Sequence, residues 1–417
     1  MKIDKLKSII QSSHINFLLG SGLSCPYLSP LANIETWLTE ANQIEDDKVR
    51  LLVQDNLFIR YVEVVMKPCL REYKIEGEKL NEVQDAYDNF LSNWNYIMSR
   101  RSSNLLNKQV NIFTTNIDPF VEEAAERLRI EFNNGFKGLQ TPVFREETFS
   151  TIVSKVSPLY QNQSMVPSFN YLKIHGSINW RVGVGSEITY DSNLDILRQV
   201  VQSIDQYPAS YRCIDIAEQE LAELNKGKEK ADCVELSFEL IQKAAAEIVE
   251  LDQYKEVETM KSFRKNYQQL VMVNPRKTKF QETVLDLHFY ELMRLYSNAL
   301  ERTSTCLMVA GFSFADEHIA QITLRAAASN PTLLIIVFAY NEEAKSSIQA
   351  NLETGTNNNI LILSPSDYVK AQDEKMQQDL KELQNFDLQS INEHVFRYIK
   401  QRVSYEQYEF KHTRVPS

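Results

Sequence analysis

Four short runs along the chain are almost wholly apolar: INFLLG (15–20), VNIFTT (110–115), TCLMVAGF (305–312) and TLLIIVFAY (332–340). A weaker fifth is NILIL (359–363). Alternating apolar and polar positions would mark a sheet with one wet face. Near-continuous apolar runs mark parallel strands covered on both faces. Several stretches that follow them have helical spacing. DPFVEEAAERLR opens on Asp-Pro, a cap followed by a first-turn proline. FADEHIAQITLRAAASN repeats its apolar positions at three and four and stops near Asn330-Pro331. Strand then helix, repeated, predicts an α/β fold built on a doubly wound parallel sheet.

Two long segments break this rhythm. Residues 31–104 and 190–268 have strong helical propensity and few glycines, and they predict helical insertions that pack together into a second lobe. The sheet-bearing core is then 1–30, 105–189 and 269–369, followed by a polar helical tail, 370–417, whose last residues YEQYEFKHTRVPS fray. A length of 417 residues suits two lobes or one core with large insertions. Phe289, Tyr290 and Met293 fall at helical spacing and read as core, and Trp37 reads as packing.

Composition narrows the functional classes. Hydrophobic residues make up 43 %, enough for a full core. The formal charge of −11 argues against a nucleic-acid-coating surface, which needs clustered Lys and Arg. The five cysteines are odd in number and none forms a CxxC pair, which argues against a disulfide framework and a four-thiolate zinc site. No run of 18 apolar residues occurs and MKIDKLKSIIQSS lacks a leader pattern, so a cytoplasmic protein is expected.

Three places carry candidate chemistry. The first strand runs into Gly20-Ser21-Gly22-Leu23-Ser24. A Gly-x-Gly turn there lets backbone N–H groups approach a pyrophosphate, and it serves equally as a tight turn that wants positive φ. The third glycine of the dinucleotide fingerprint is missing. The second place is Thr114-Thr115-Asn116-Ile117-Asp118, at the carboxyl end of a predicted strand, where open α/β sheets bind ligands. Asp118-Pro119 also reads as a simple helix start. The third is YLKIHGSINW, where His175 stands at a strand end before Gly-Ser. It reads as a structural histidine or as a base near neutral pH.

Taken in order, Gly-x-Gly-x-Ser, Thr-Thr-Asn-Ile-Asp and His-Gly-Ser resemble the sirtuin superfamily. The blocks NPRKTKF (274–280), LHFYELMRLYSNAL and VAGFSFADEHI (309–319) extend the likeness to the sirtuin-like bacterial antiphage NADases. These blocks cover roughly half the chain and leave both insertions unmatched. Protein deacylases of the superfamily carry a zinc module of two CxxC pairs. This chain has none, so deacylation is not expected, and neither zinc nor another metal is. Without an obvious nucleotide-sensing domain, Argonaute-like segment or long repeat region, the chain is most similar to the stand-alone sirtuin-like subunit encoded beside a HerA-type hexameric ATPase.

That resemblance implies a Rossmann-like core that takes NAD⁺ as substrate and cleaves its nicotinamide–ribose bond. It implies that Gly20, Ser21, Gly22 and Ser24 cradle the pyrophosphate, with Thr115 beside them. It implies that Asn116 holds the nicotinamide ribose or the attacking water. By the same likeness Asp118 orients the carboxamide and His175 is the general base. Ser313, after Gly311, is placed to touch a phosphate or ribose, and Asn341 to hold the adenine-side ribose; both are also ordinary turn residues. The implied partners are further copies of the chain and the HerA-type ATPase, in antiphage defence by NAD⁺ depletion. An ADP-ribosyltransferase and a non-catalytic NAD-binding scaffold remain as alternatives.

Overall fold

The computed structural model describes residues 1–29, 33–75, 77–101, 105–226, 233–251, 254–273, 285–352 and 358–412. The motif block at 274–280 lies outside them. The chain divides into two compact units: 1–27 with 76–176 and 284–417, and 28–75 with 177–283.

The first unit is organised by a seven-stranded, all-parallel sheet. Its strands are β1 (His14–Leu19), β2 (Gln109–Thr114), β3 (Glu131–Asn133), β4 (Ser168–Lys173), β5 (Thr305–Ala310), β6 (Leu333–Phe338) and β7 (Ile360–Leu363). Their order is β7-β6-β5-β1-β2-β4-β3. The expected apolar runs form five of these strands. Leaving aside the short edge strand β3, this is the doubly wound order of dinucleotide-binding sheets, in which winding reverses between β1 and β5.

Helices cover both faces, and the side chains of one strand show why it must be buried twice. Phe17 and Leu18 point to opposite faces of β1. On one face Phe17 meets Phe90 at 5.0 Å and Trp94 at 4.8 Å, both from the helix Glu78–Ser99. On the other, Phe113, in register with Leu18, packs on Tyr296 of the helix Leu285–Glu301 at 5.0 Å.

Strand register is also written in polar groups. Asn16 on β1, Asn111 on β2, Asn170 on β4 and Asn133 on β3 stand side by side across four strands. Asn111 Nδ2 donates to Asn16 Oδ1 at 2.8 Å, Asn170 Nδ2 to Asn111 Oδ1 at 3.0 Å, and Asn133 Nδ2 to Asn170 Oδ1 at 3.1 Å. Each such bond contributes about 0.5–1.5 kcal/mol net. A one-residue slip would leave buried amides unpaired as well as reversing every apolar side chain.

Three expectations are corrected here. The helix Glu78–Ser99 belongs to the sheet unit and not to a second lobe, because its stripe from Leu80 through Tyr87, Phe90 and Trp94 to Ile97 is buried there. The C-terminal segment is not a polar tail. Leu388, Ile391, Val395, Phe396, Ile399 and Val403 are buried, and Phe396 touches Phe17, Trp94 and Phe338. Likewise Phe289 is buried as expected, but Tyr290 is 62 % exposed.

The second unit has its own core of helices: Ile34–Ala41, Asp47–Tyr61, Asp195–Asp205, Cys213–Leu224, Phe238–Glu250 and Glu258–Tyr267. At its centre Asp55, 2 % exposed, accepts from Arg264 Nε and Nη2, both at 2.7 Å, and from the Tyr207 hydroxyl at 3.1 Å. Burial pushes the Asp55 carboxyl up, and Arg264 opposes that shift. Among the described residues no helix is long and apolar enough to cross a membrane.

Two predictions follow from the sheet unit. Phe396→Ala lowers its stability by about 3–5 kcal/mol, read from urea unfolding, because the cavity opens among four aromatic neighbours that cannot collapse into it. His14, half-buried beside Arg302 and Arg101, has its pKa lowered to about 4, chiefly by burial. The folded ring is therefore neutral while the unfolded one titrates near 6.5. Stability is full above pH 6.5 and falls as pH drops from there towards 4, by on the order of 1 kcal/mol after allowance for solvent screening. His14→Gln flattens that part of the urea midpoint–pH curve.

Candidate functional site

Every singled-out residue follows the carboxyl end of a strand of the parallel sheet. Gly20 to Ser24 follow β1, Thr115 to Asp118 follow β2, His175 follows β4, Gly311 and Ser313 follow β5, and Asn341 follows β6. Strand polarity alone collects them on one edge.

The glycine turn is explained by backbone meeting backbone at the point where the sheet reverses. A Cβ on Gly20 would lie 2.3 Å from the Gly311 carbonyl oxygen, and one on Gly22 would lie 3.1 Å from it. Gly311 itself has φ +64°, and a Cβ there would lie 2.5 Å from Leu23 Cγ. Gly20 N–H donates to Ala310 O and Gly22 N–H to Gly311 O, each at 3.1 Å, and Leu23 N–H closes the turn on Gly20 O. Gly20 is extended, with φ −115°, so its need is for space and not for a left-handed conformation. Two amides of the expected pyrophosphate cradle, those of Gly20 and Gly22, are thus donated within the protein, as is that of Leu23 beside them. Ser21 and Gly22 are exposed, whereas Ser24 is buried.

Behind the turn lies a buried polar group. Ser24 Oγ donates to Asp118 Oδ2 at 2.8 Å and lies 3.2 Å from the Tyr87 hydroxyl. Asn116 Nδ2 donates to both hydroxyl oxygens in longer bonds, 3.5 Å to Ser24 and 3.4 Å to Tyr87. The backbone N–H of Asn116 is taken by Thr114 Oγ1 at 3.0 Å, and Thr114 Oγ1 donates to Leu19 O at 2.9 Å. Thr115 contributes its N–H, to Leu19 O at 3.3 Å. The Asn116 amide is therefore oriented at its nitrogen end. Its Oδ1 is buried without a hydrogen-bond partner among the described residues. Such an orphan acceptor costs about 1–3 kcal/mol, and a group that supplies an N–H or O–H would relieve it.

Asp118 is 4 % exposed, and Oδ1 also accepts from Phe120 N–H at 3.2 Å. Burial raises its pKa, and the Lys173 charge opposes the shift. Burial likewise pushes the Tyr87 phenol well up, with the Asp118 charge adding to it. Lys173, whose side chain is 2 % exposed, donates to Asp118 O at 2.7 Å and pairs with Glu122 at 3.0 Å. It thereby pins the backbone of the Asn116–Asp118 turn.

His175 stands on the neighbouring strand end at the matching position. Thr114 and Lys173 are in register, and each candidate lies two residues further on. His175 Nε2 is 3.1 Å from Asp316 Oδ2. The remaining expected residues are accounted for locally. Ser313 is exposed, and its Oγ accepts from Ala315 N–H at 3.4 Å. Asn341 caps the helix Glu342–Asn351, with Oδ1 accepting from Ala344 N–H at 2.8 Å.

Three residues of this constellation escape sequence reasoning. Lys173 stood inside the quoted strand motif, and its visible signal is a charge at the end of an apolar run. Asp316 stood inside VAGFSFADEHI, where it reads as a helix cap. Tyr87 has no local signal, since it comes from a helix 29 residues before Asn116 in the chain.

Neither a scan against protein-family models nor a search of curated proteins finds a match to this chain.

Gly20→Ala lowers stability in urea unfolding by about 1–3 kcal/mol, since overpacking here pushes against main chain and not against a flexible side chain. Gly22→Ala costs less, because its new methyl meets the same oxygen at 3.1 Å and not 2.3 Å.

Proposed function

We propose that the chain is an NAD⁺ glycohydrolase that cleaves the nicotinamide–ribose bond to give nicotinamide and ADP-ribose. The observation that carries this reading is the pairing of Asn116 and His175 at matching positions beyond two adjacent parallel strands, with Asn116 Oδ1 buried and without a partner among the described residues. Nicotinamide leaves as a neutral group from a cationic ring, so the transition state has oxocarbenium character at the ribose carbon. A site for it orients an attacking water and offers electron-rich atoms near the developing charge. Asn116 Oδ1 accepts a hydrogen bond from the ribose or from that water, and its fixed orientation saves reorganisation during the reaction. His175 takes the proton. The glycine turn and Ser313 line the phosphate path, and Asn341 stands on the adenosine side. Asp118 acts on this arrangement through Ser24.

The motif order that resembles sirtuin-like antiphage NADases supports the same reading. With it come a cytoplasmic setting, self-association of the chain, assembly with a HerA-type hexameric ATPase, and defence by depletion of NAD⁺.

The test is incubation of the purified protein with NAD⁺, alone and with the ATPase, followed by chromatography. Nicotinamide and ADP-ribose are expected in equal amounts. Asn116→Ala and His175→Ala, made in parallel, fold with unchanged circular dichroism and lose about 10²–10⁴-fold in turnover. ADP-ribose attached to an acceptor would point to a transferase instead. Absence of turnover under both conditions would leave a nucleotide-binding scaffold.

A further inference from the structure

We propose that Asp316 is a positioning residue that keeps the proton of neutral His175 on Nε2, which makes Nδ1 the atom that accepts a proton in the reaction. The catalytic half of this statement rests on the NAD⁺-hydrolase reading above; the orientation of the ring does not.

The geometry argues for it in three ways. Nε2 faces Asp316 Oδ2 at 3.1 Å, with the two side chains only 18 % and 10 % exposed. A carboxylate oxygen only accepts, so a nitrogen lone pair aimed at it would be repelled and an N–H is held there. Second, the carboxylate is anchored. Its other oxygen, Oδ1, accepts from His318 N–H at 3.0 Å and from Ile319 N–H at 3.3 Å, in the first turn of the helix Glu317–Ser329. The positive end of that helix favours negative charge at this place. Third, the pair is not a by-product of strand packing. His175 follows β4 and Asp316 follows β5, and β1 and β2 lie between them. Three strand spacings are about 14 Å, so the two loops lean together across the ends that carry Gly20 and Asn116.

In the reaction, the Nδ1 lone pair takes a proton from the attacking water, directly or through a ribose hydroxyl. The water oxygen bonds to the ribose carbon as the carbon–nitrogen bond breaks, and that electron pair leaves with neutral nicotinamide. The imidazolium is then held against Asp316 until Nδ1 releases the proton to solvent.

The plain alternative is that Asp316 only caps its helix. Asp316→Asn separates the two roles, because Asn caps as well as Asp. Its amide can present an N–H to the ring and so draw the histidine proton to Nδ1. The experiment uses the full chain labelled with ¹⁵N, with the His175 signals assigned by their loss in His175→Gln. Imidazole ¹⁵N–¹H correlation spectra at a pH where the ring is neutral should show Nε2–H in the parent protein and Nδ1–H in Asp316→Asn. With NAD⁺, kcat of Asp316→Asn should fall by about 10²–10⁴-fold while KM changes little, as when a histidine base is held in the wrong tautomer. Asp316→Ser, which also caps a helix but withdraws the acceptor from the ring, should lose kcat too, and it serves should the Asn variant not fold. An Nδ1–H parent ring, or one unaltered by Asp316→Asn, overturns the proposal. So does parent-like kcat in folded variants. A parent protein that shows the expected tautomer shift yet never cleaves NAD⁺ sinks the hydrolase reading and leaves the held ring standing.

Discussion

The fold turns on one place where two polypeptide backbones touch. Gly20 and Gly22 close against the carbonyl of Gly311, and Gly311 must adopt positive φ beside Leu23 to receive them. This contact sits between β1 and β5, where the winding of the sheet changes direction. Any side chain at Gly20 would push the two loops apart, and with them the ends of the central strands. The same closeness consumes amides that a nucleotide-binding turn could otherwise offer. Structural and functional readings of the glycines are therefore not rivals here: the turn is tight because main chain must meet main chain, and that meeting shapes the edge on which the candidate residues stand.

From that point outward, order is carried by paired polar groups in an apolar sheet. The asparagine ladder from Asn16 to Asn133 makes register a matter of hydrogen bonding as well as of burial. Nearer the site, Ser24, Tyr87, Asn116 and Asp118 form a second buried set. Low surrounding polarity strengthens such bonds and penalises any left unmade. The one left unmade among the described residues, at Asn116 Oδ1, is the feature of this set that stability does not account for. It is the reason for treating the set as functional.

Much of this was legible in the chain. The unbroken apolar runs, their placement before helices and the polar residues just beyond them located the central strands and their carboxyl edge. Asn116 and His175 could be chosen because each interrupts an apolar run at its end. Tyr87 could not: it lies on the buried stripe of a helix with no glycine or motif to mark it. Phe396 was hidden in the same way, since a stretch rich in charged residues conceals its few apolar positions until they are seen on one face. The asparagines were visible as odd polar residues within strands, but their pairing was not.

What the sequence by itself determined is local and periodic: which segments are strands covered on both sides, which are helices, and which residue types follow a strand. Those features depend on neighbours a few residues away. The tertiary structure alone decided that Glu78–Ser99 and the C-terminal helices share one core with β1, that Gly311 is the reason for Gly20, and that Asp316 faces His175. Each of these joins groups from 73 residues apart in the chain, for Phe17 and Phe90, to 379, for Phe17 and Phe396. Such distances are closed only when strand order is settled, because strand order, and not spacing in the sequence, sets which loop ends share an edge.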